Sequence, residues 1–200
     1  MWDSVIEAVT DIRDGEVGKH ILRRYLKLSP TFMEDYVDYL RSIGDWRSAS
    51  QALVGIVNDD RFVSTKGKSA YEFCMDLCQM VSMHPEECVD VDGNAAIRHC
   101  IGRYTDEVGN LWNYLAEYYI RQGLFEKGRD VFEEALEKVA SARDFGIIYS
   151  AYLKFEEELL TLAMEEGEED QEALLQQDRE DAEASYLDNL LDLAQKDRIE

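Results

Sequence analysis

The chain has 200 residues, 46% of them hydrophobic, with two prolines, four cysteines and a formal net charge of -22. A chain this long can bury roughly 70% of its unfolded surface, and so acidic a one repels phosphate backbones, which excludes broad nucleic-acid binding and leaves RNA contact at most minor. No apolar run reaches the roughly 18 residues of a membrane helix, and the cysteines, with no secretory leader pattern, read as free thiols in a reducing compartment.

A step of three recurs along the chain. It first places Trp2, Val5 and Ala8 on one face of a helix. A second amphipathic segment follows from Val17 to Leu28, with His20, Arg23, Arg24 and Lys27 as a small basic face. In an acidic protein such a face is expected to be solvated or paired with a neighbouring repeat. Ser29-Pro30 closes this pair, and Thr31 to Glu34 reads as a capping box opening the next helix, where Met33, Tyr36 and Tyr39 repeat the step. Gly44-Asp45 separates that helix from its partner, Trp46 to Val57.

A polar connection runs from Asn58 to Ser69. Its Gly67-Lys68-Ser69 is similar to the end of a phosphate-binding loop, but Phe62 stands where that loop needs glycine and no buried strand precedes it. The expectation is a loop between repeats, with Lys66 and Lys68 meeting acidic neighbours. Cys74, Leu77 and Met80 lead the third pair, His84-Pro85 stops it, and Asn94 to Tyr104 is its second helix. Cys74 and Cys78 sit one turn apart and His99-Cys100 lies on the next helix, but the Cys-x-x-Cys knuckles of structural zinc are missing, so these are expected in the core. No Ser/His/Asp or Cys/His set stands out, and no carboxylate has an obviously apolar setting that would raise its pKa.

Thr105-Asp106 opens the fourth pair, which runs from Asn110 to Ala140 and is the best-kept copy. Trp112, Leu115 and Tyr119 face inward from its first helix, and Gly123 suits the left-handed turn that ends it. Gly128, Phe132 and Ala135 face inward from the second helix, the small residues leaving room for close approach. Arg143-Asp144 opens the fifth pair, led by Tyr149, Tyr152 and Phe155. The lead positions Trp2, Met33, Cys74, Trp112 and Tyr149 are 31, 41, 38 and 37 residues apart.

Two helices per period in the thirties predict an all-α, right-handed α-α solenoid, a superhelix of TPR-like helix pairs. The expected divisions are residues 1–160 as about four and a half helix pairs, 161–181 as an acidic loop or exposed helix extension, and 182–200 as the final helix. The repeat core is expected at Trp2, Tyr36, Trp112, Leu115, Tyr119, Gly128, Phe132, Ala135, Tyr149, Tyr152 and Phe155. Tyr118, Trp46 and Phe125 are candidates for partial exposure, where aromatics mark interfaces. No catalytic, cofactor-binding or metal-ligating residue is assigned.

The run from Gly128 to Leu136, Gly-Arg-Asp-Val-Phe-Glu-Glu-Ala-Leu, resembles the second helix of the half-a-TPR (HAT) motif. Tyr152-Leu153-Lys154-Phe155-Glu156 resembles the Tyr-x-x-Phe-Glu of the next first helix. Gly128 departs from the usual alanine, Glu134 from arginine and Cys74 from tryptophan. Tyr25 to Pro30, Val57 to Ser64, Gly67 to Ser69 and Tyr118 to Gly123 are together similar to the SYF / XPA-binding protein family of pre-mRNA-splicing factors. The resemblance covers nearly all of residues 2–160. It implies a fragment of a larger HAT array: a nuclear, non-catalytic protein–protein scaffold of the spliceosome's Prp-nineteen-associated complex. The partners it implies are other splicing-complex proteins, including a second HAT-repeat protein of the crooked-neck type. The alternative is a TPR-like peptide-binding adaptor outside splicing, which would need an Asn/Lys clamp repeated along the helices; none is visible.

Overall fold

The computed structural model describes Val9, residues 15–166 and residues 169–196. The expectations placed on Trp2, Val5 and Ala8, and the part of the 161–181 expectation that falls on residues 167 and 168, lie outside them. The chain divides into two compact units, Met1–Cys100 and Ile101–Glu200. Every regular element among the described residues is helical.

The first unit contains α1 (Gly15–Leu26), a 3-10 turn (Pro30–Phe32), α2 (Met33–Ser42), α3 (Trp46–Asn58), α4 (Ala70–Met83) and most of α5 (Gly93–Arg103). Neighbours in sequence pack on each other, α1 on α2, α2 on α3 and α3 on α4. Leu22, Leu40, Leu53 and Leu77 are almost wholly buried between them. Gly18 permits the closest approach: a Cβ there would lie 2.0 Å from the Tyr39 hydroxyl and 3.2 Å from a Val9 methyl.

The second unit contains α6 (Gly109–Arg121), α7 (Phe125–Lys138), α8 (Ala142–Glu166) and α9 (Glu169–Lys196). Helix α6 packs on α7 and α8, α7 also packs on α8, and α8 packs on α9. Leu111, Leu115, Phe132, Ala135 and Ile148 form the centre. A Cβ on Gly128 would come within 2.8 Å of Ile120 Cγ1, so α6 and α7 cross where glycine removes the obstacle.

The same turn is built once in each unit. Gly44 and Gly123 both have φ of +73°. Gly44 N–H donates to Arg41 C=O and Asp45 N–H to Leu40 C=O; Gly123 N–H donates to Ile120 C=O and Leu124 N–H to Tyr119 C=O. Each pair of bonds satisfies carbonyls left open at a helix end and fixes the angle at which the second helix returns.

Helix starts depart from expectation in two places. Thr31 to Glu34 forms no capping box: α2 has no side-chain cap, and Glu34 is buried, its Oε2 accepting from the Ser64 hydroxyl at 2.9 Å. The rigid 3-10 turn at Pro30 carries the chain into α2, and Glu34 is drawn to the loop instead. The box forms at Ser69 and Glu72, opening α4. Thr105-Asp106 likewise stops short of α6, which begins at Gly109. The Gly109 N–H is taken up from 35 residues downstream, by the buried Asp144 Oδ1 in the first turn of α8 at 3.1 Å. Of the two alternatives expected for residues 161–181, loop or helix extension, residues 169–181 are helical and run on into α9, a single helix of 28 residues.

Candidate interaction surface

Several charged side chains inside each unit tie one segment to another. In the first unit, Lys19 of α1 donates to Asp45 Oδ2 at 2.8 Å. Asp45 in turn caps α3 by accepting from Ser48 N–H. Partial burial of the Asp45 carboxyl acts to raise its pKa, but bonds from Lys19 and Ser48 outweigh it and hold the group below its usual range. Arg47 reaches Asp90 through two hydrogen bonds, and Gln51 adds a third at 2.6 Å.

The connection before α4 is pinned the same way. Lys66 bridges Asp35 at 2.9 Å and Asp38 at 2.6 Å, and Lys68 reaches Asp76 at 2.8 Å. Those two aspartates hold the Lys66 ammonium charged well above its ordinary range. Lys66 and Lys68, on either side of Gly67, thus serve as loop anchors, and Ser69 is a helix cap. In the basic face of α1, Arg23 donates to the Tyr36 hydroxyl at 3.0 Å.

In the second unit, Arg129 of α7 meets Glu156 of α8 through Nε to Oε1 at 2.9 Å and Nη2 to Oε2 at 3.2 Å. Beside this pair, Phe132 stacks on Tyr152 with centroids 5.2 Å apart and tilts against Phe155 at 5.8 Å. Tyr149 stacks on Tyr186 of α9 at 4.0 Å.

Of the residues expected in the repeat core, Tyr36, Trp112, Leu115, Gly128, Phe132, Ala135, Tyr149, Tyr152 and Phe155 are buried. Tyr119 is half-buried, with the Lys127 ammonium 5.7 Å from its ring centre. Trp46 is half-buried and stacks flat on His84 at 4.0 Å, while Phe125 is 42% exposed.

Two grooves remain. One lies in the first unit, about 380 Å³ in volume, between Val54 and Val57 of α3, Leu77 of α4 and Ala96 and His99 of α5. Its carboxylates are already occupied: Asp90 by Arg47 and Gln51, and Asp92 by Ala95 N–H at the start of α5. The other, about 310 Å³, lies in the second unit between α6, α7 and α8. Phe132 and Phe155 contribute to its apolar lining, with Ile120 and Ala151. Asn113 and Glu117, one turn apart on α6, also line it. The Asn113 Oδ1 is buried and has no hydrogen-bond partner. Glu117 is an exposed residue, but partial burial of its carboxyl raises its pKa above the ordinary range, against the opposing pull of Arg121 and Lys154.

The sequence reading missed Glu117, because the protein that desolvates its carboxyl comes from helices distant in sequence. The only local signal is Asn113 and Glu117 interleaved with the apolar Trp112, Leu115 and Ala116.

Cys74, Cys78, Cys88 and Cys100 are buried thiols outside any disulfide. Burial raises the Cys88 thiol pKa, which keeps it protonated. Among the described residues, no three His, Cys, Asp or Glu side chains converge so as to hold a metal ion. None of the described helices is long and apolar enough to cross a membrane.

Residues 33–195 match the family model described as pre-mRNA-splicing factor SYF1 middle HAT repeat. The chain is 45% identical over 147 residues to the human pre-mRNA-splicing factor SYF1, covering 74% of this chain and 17% of that protein. It is 40% identical over 166 residues to the Drosophila melanogaster pre-mRNA-splicing factor syf1 homolog, covering 83% and 19%. Against the Schizosaccharomyces pombe pre-mRNA-splicing factor cwf3 the identity is 35% over 165 residues, covering 82% and 21%. The chain thus spans about a fifth of the length of these curated relatives.

Proposed function

The chain belongs to the SYF1 middle HAT-repeat family, and from that premise we propose that it is a non-catalytic protein–protein scaffold segment acting in pre-mRNA splicing in the nucleus. The observation that carries this reading is the family match across residues 33–195, together with relatives that are all named as splicing factors. The geometry supports it. Charged side chains at the helix junctions are spent on a helix-to-helix pair, Arg129–Glu156, and on a helix-to-loop pair, Arg47–Asp90. What remains for function is the outer surface and the grooves, which suits recognition of other proteins.

The partners we propose are proteins of the Prp-nineteen-associated complex, among them a second HAT-repeat protein. The test is capture from nuclear extract with the tagged chain, read by mass spectrometry. Recovery of splicing-complex proteins above a scrambled-sequence control supports the reading. Recovery of cytosolic chaperones alone would sink it.

A further inference from the structure

We propose that the groove between α6, α7 and α8 seats an arginine side chain of a basic segment in a partner protein, with Asn113 and Glu117 as its two acceptors. This deepens the scaffold reading and rests on it, because it names the chemistry by which one partner is held.

Three observations converge. Asn113 Oδ1 is a buried acceptor with no partner, an arrangement that costs free energy unless something donates to it. Glu117, one turn away, is an exposed residue that forms no hydrogen bond or ion pair among the described contacts, and the groove partly screens its carboxyl from water. Both groups line a cavity of about 310 Å³ whose other walls include Phe132, Phe155 and Ile120.

The occupant follows from the sign and shape of what is missing. Two acceptors call for a donor with several N–H groups, and one acceptor is anionic, so the donor is cationic. An apolar wall with two phenyl rings favours guanidinium over ammonium, because guanidinium is planar, more weakly hydrated and stacks on aromatic faces. A peptide carboxylate is excluded, since it would bring acceptors to acceptors and an anion to Glu117. The two cations at the rim do not already fill the role. Lys154 pairs with Glu158 at 3.5 Å, and Arg121 acts on Glu117 only through space. The whole chain carries a net charge of -22, which draws a basic segment towards it and raises the rate of encounter.

The test is an NMR titration of the full chain with a short capped glycine-serine peptide carrying one arginine. The same peptide with citrulline, which keeps the shape and loses the charge, is the comparison. The expected result is a saturable shift of the Asn113 side-chain amide and of the Ile120 and Ala151 methyl signals with the arginine peptide. Citrulline should weaken binding, and Glu117→Gln should weaken it by about tenfold. Glu86→Gln, an exposed change in the first unit, should leave it unaltered. Equal binding of the citrulline peptide, unchanged affinity in Glu117→Gln, or shifts confined to acidic α9 would each overturn the proposal. Nuclear-extract capture separates this from the scaffold reading: a chain that still captures splicing proteins but shows no groove shifts loses only the arginine site.

Discussion

Arg129 and Glu156 face each other across α7 and α8 in a two-point hydrogen-bonded pair, with the two side chains only 13% and 1% exposed. Removing Arg129 strips the buried Glu156 carboxylate of its two-point donor, whereas Arg129 keeps Glu126 at 3.3 Å when Glu156 is removed. Arg129→Ala should therefore cost about 3–5 kcal/mol in urea denaturation, and Glu156→Ala less. The double change Arg129→Met with Glu156→Leu should cost clearly less than the two single losses added together. Additive losses would mean the two charges are not coupled.

Trp112 and Phe125 separate buried from exposed aromatics on one hairpin. Trp112 is 4% exposed, so Trp112→Ala should cost about 3–5 kcal/mol. Phe125 is 42% exposed, and Phe125→Ala should stay within about 1 kcal/mol. Chemical denaturation of both variants checks the pair, and a near-neutral Trp112→Ala would contradict the packing.

Ser69 and Thr31 look alike in sequence and differ in structure. Ser69→Ala removes a complete capping box and should lower stability by about 1 kcal/mol. Thr31, whose hydroxyl meets only Ser29 at an exposed turn, should tolerate alanine within about 0.5 kcal/mol. Thermal melts of both variants at one pH decide the comparison.

Glu117 gives a pH dependence with a definite sign. Its folded pKa is raised above 4.5, first by burial, so the unfolded chain ionises more readily than the folded one. Ionisation therefore works against folding as pH rises through the folded pKa, whereas below 4.5 the group is neutral in both states. Glu117→Gln should melt at or above the native chain at pH 7, with the difference closing as pH falls below about 4.5. A variant that melts lower at pH 7 would show the carboxylate to be stabilising. If the groove holds arginine, the same substitution trades binding for stability.

The helix pairs were legible because apolar residues recur at helical spacing and glycines mark the turns. Trp112, Leu115 and Ala116 on α6 and Phe132 and Ala135 on α7 are buried where the period puts them. The missed features all depend on residues far apart in sequence. Thr31 to Glu34 has the letters of a capping box, but Ser64 lies close enough to claim Glu34. For residues 169–181 the sequence left loop and helix extension both open, and the helix is held by docking at one end. Tyr186 stacks against Tyr149, and Arg179 reaches both Glu157 on α8 and Glu183 on its own helix. The groove was invisible for the same reason, since Asn113 and Phe155 become neighbours only when α8 folds back on α6.

The bond from Gly109 N–H to Asp144 also sets an order in time. A ribosome delivers α6 and α7 before it delivers Asp144, so the first turn of α6 must wait for a residue made 35 positions later. Until then the start of that helix frays in water. Once Asp144 emerges, one carboxylate closes the older helix while sitting in the first turn of the younger one, so the later helix finishes the earlier.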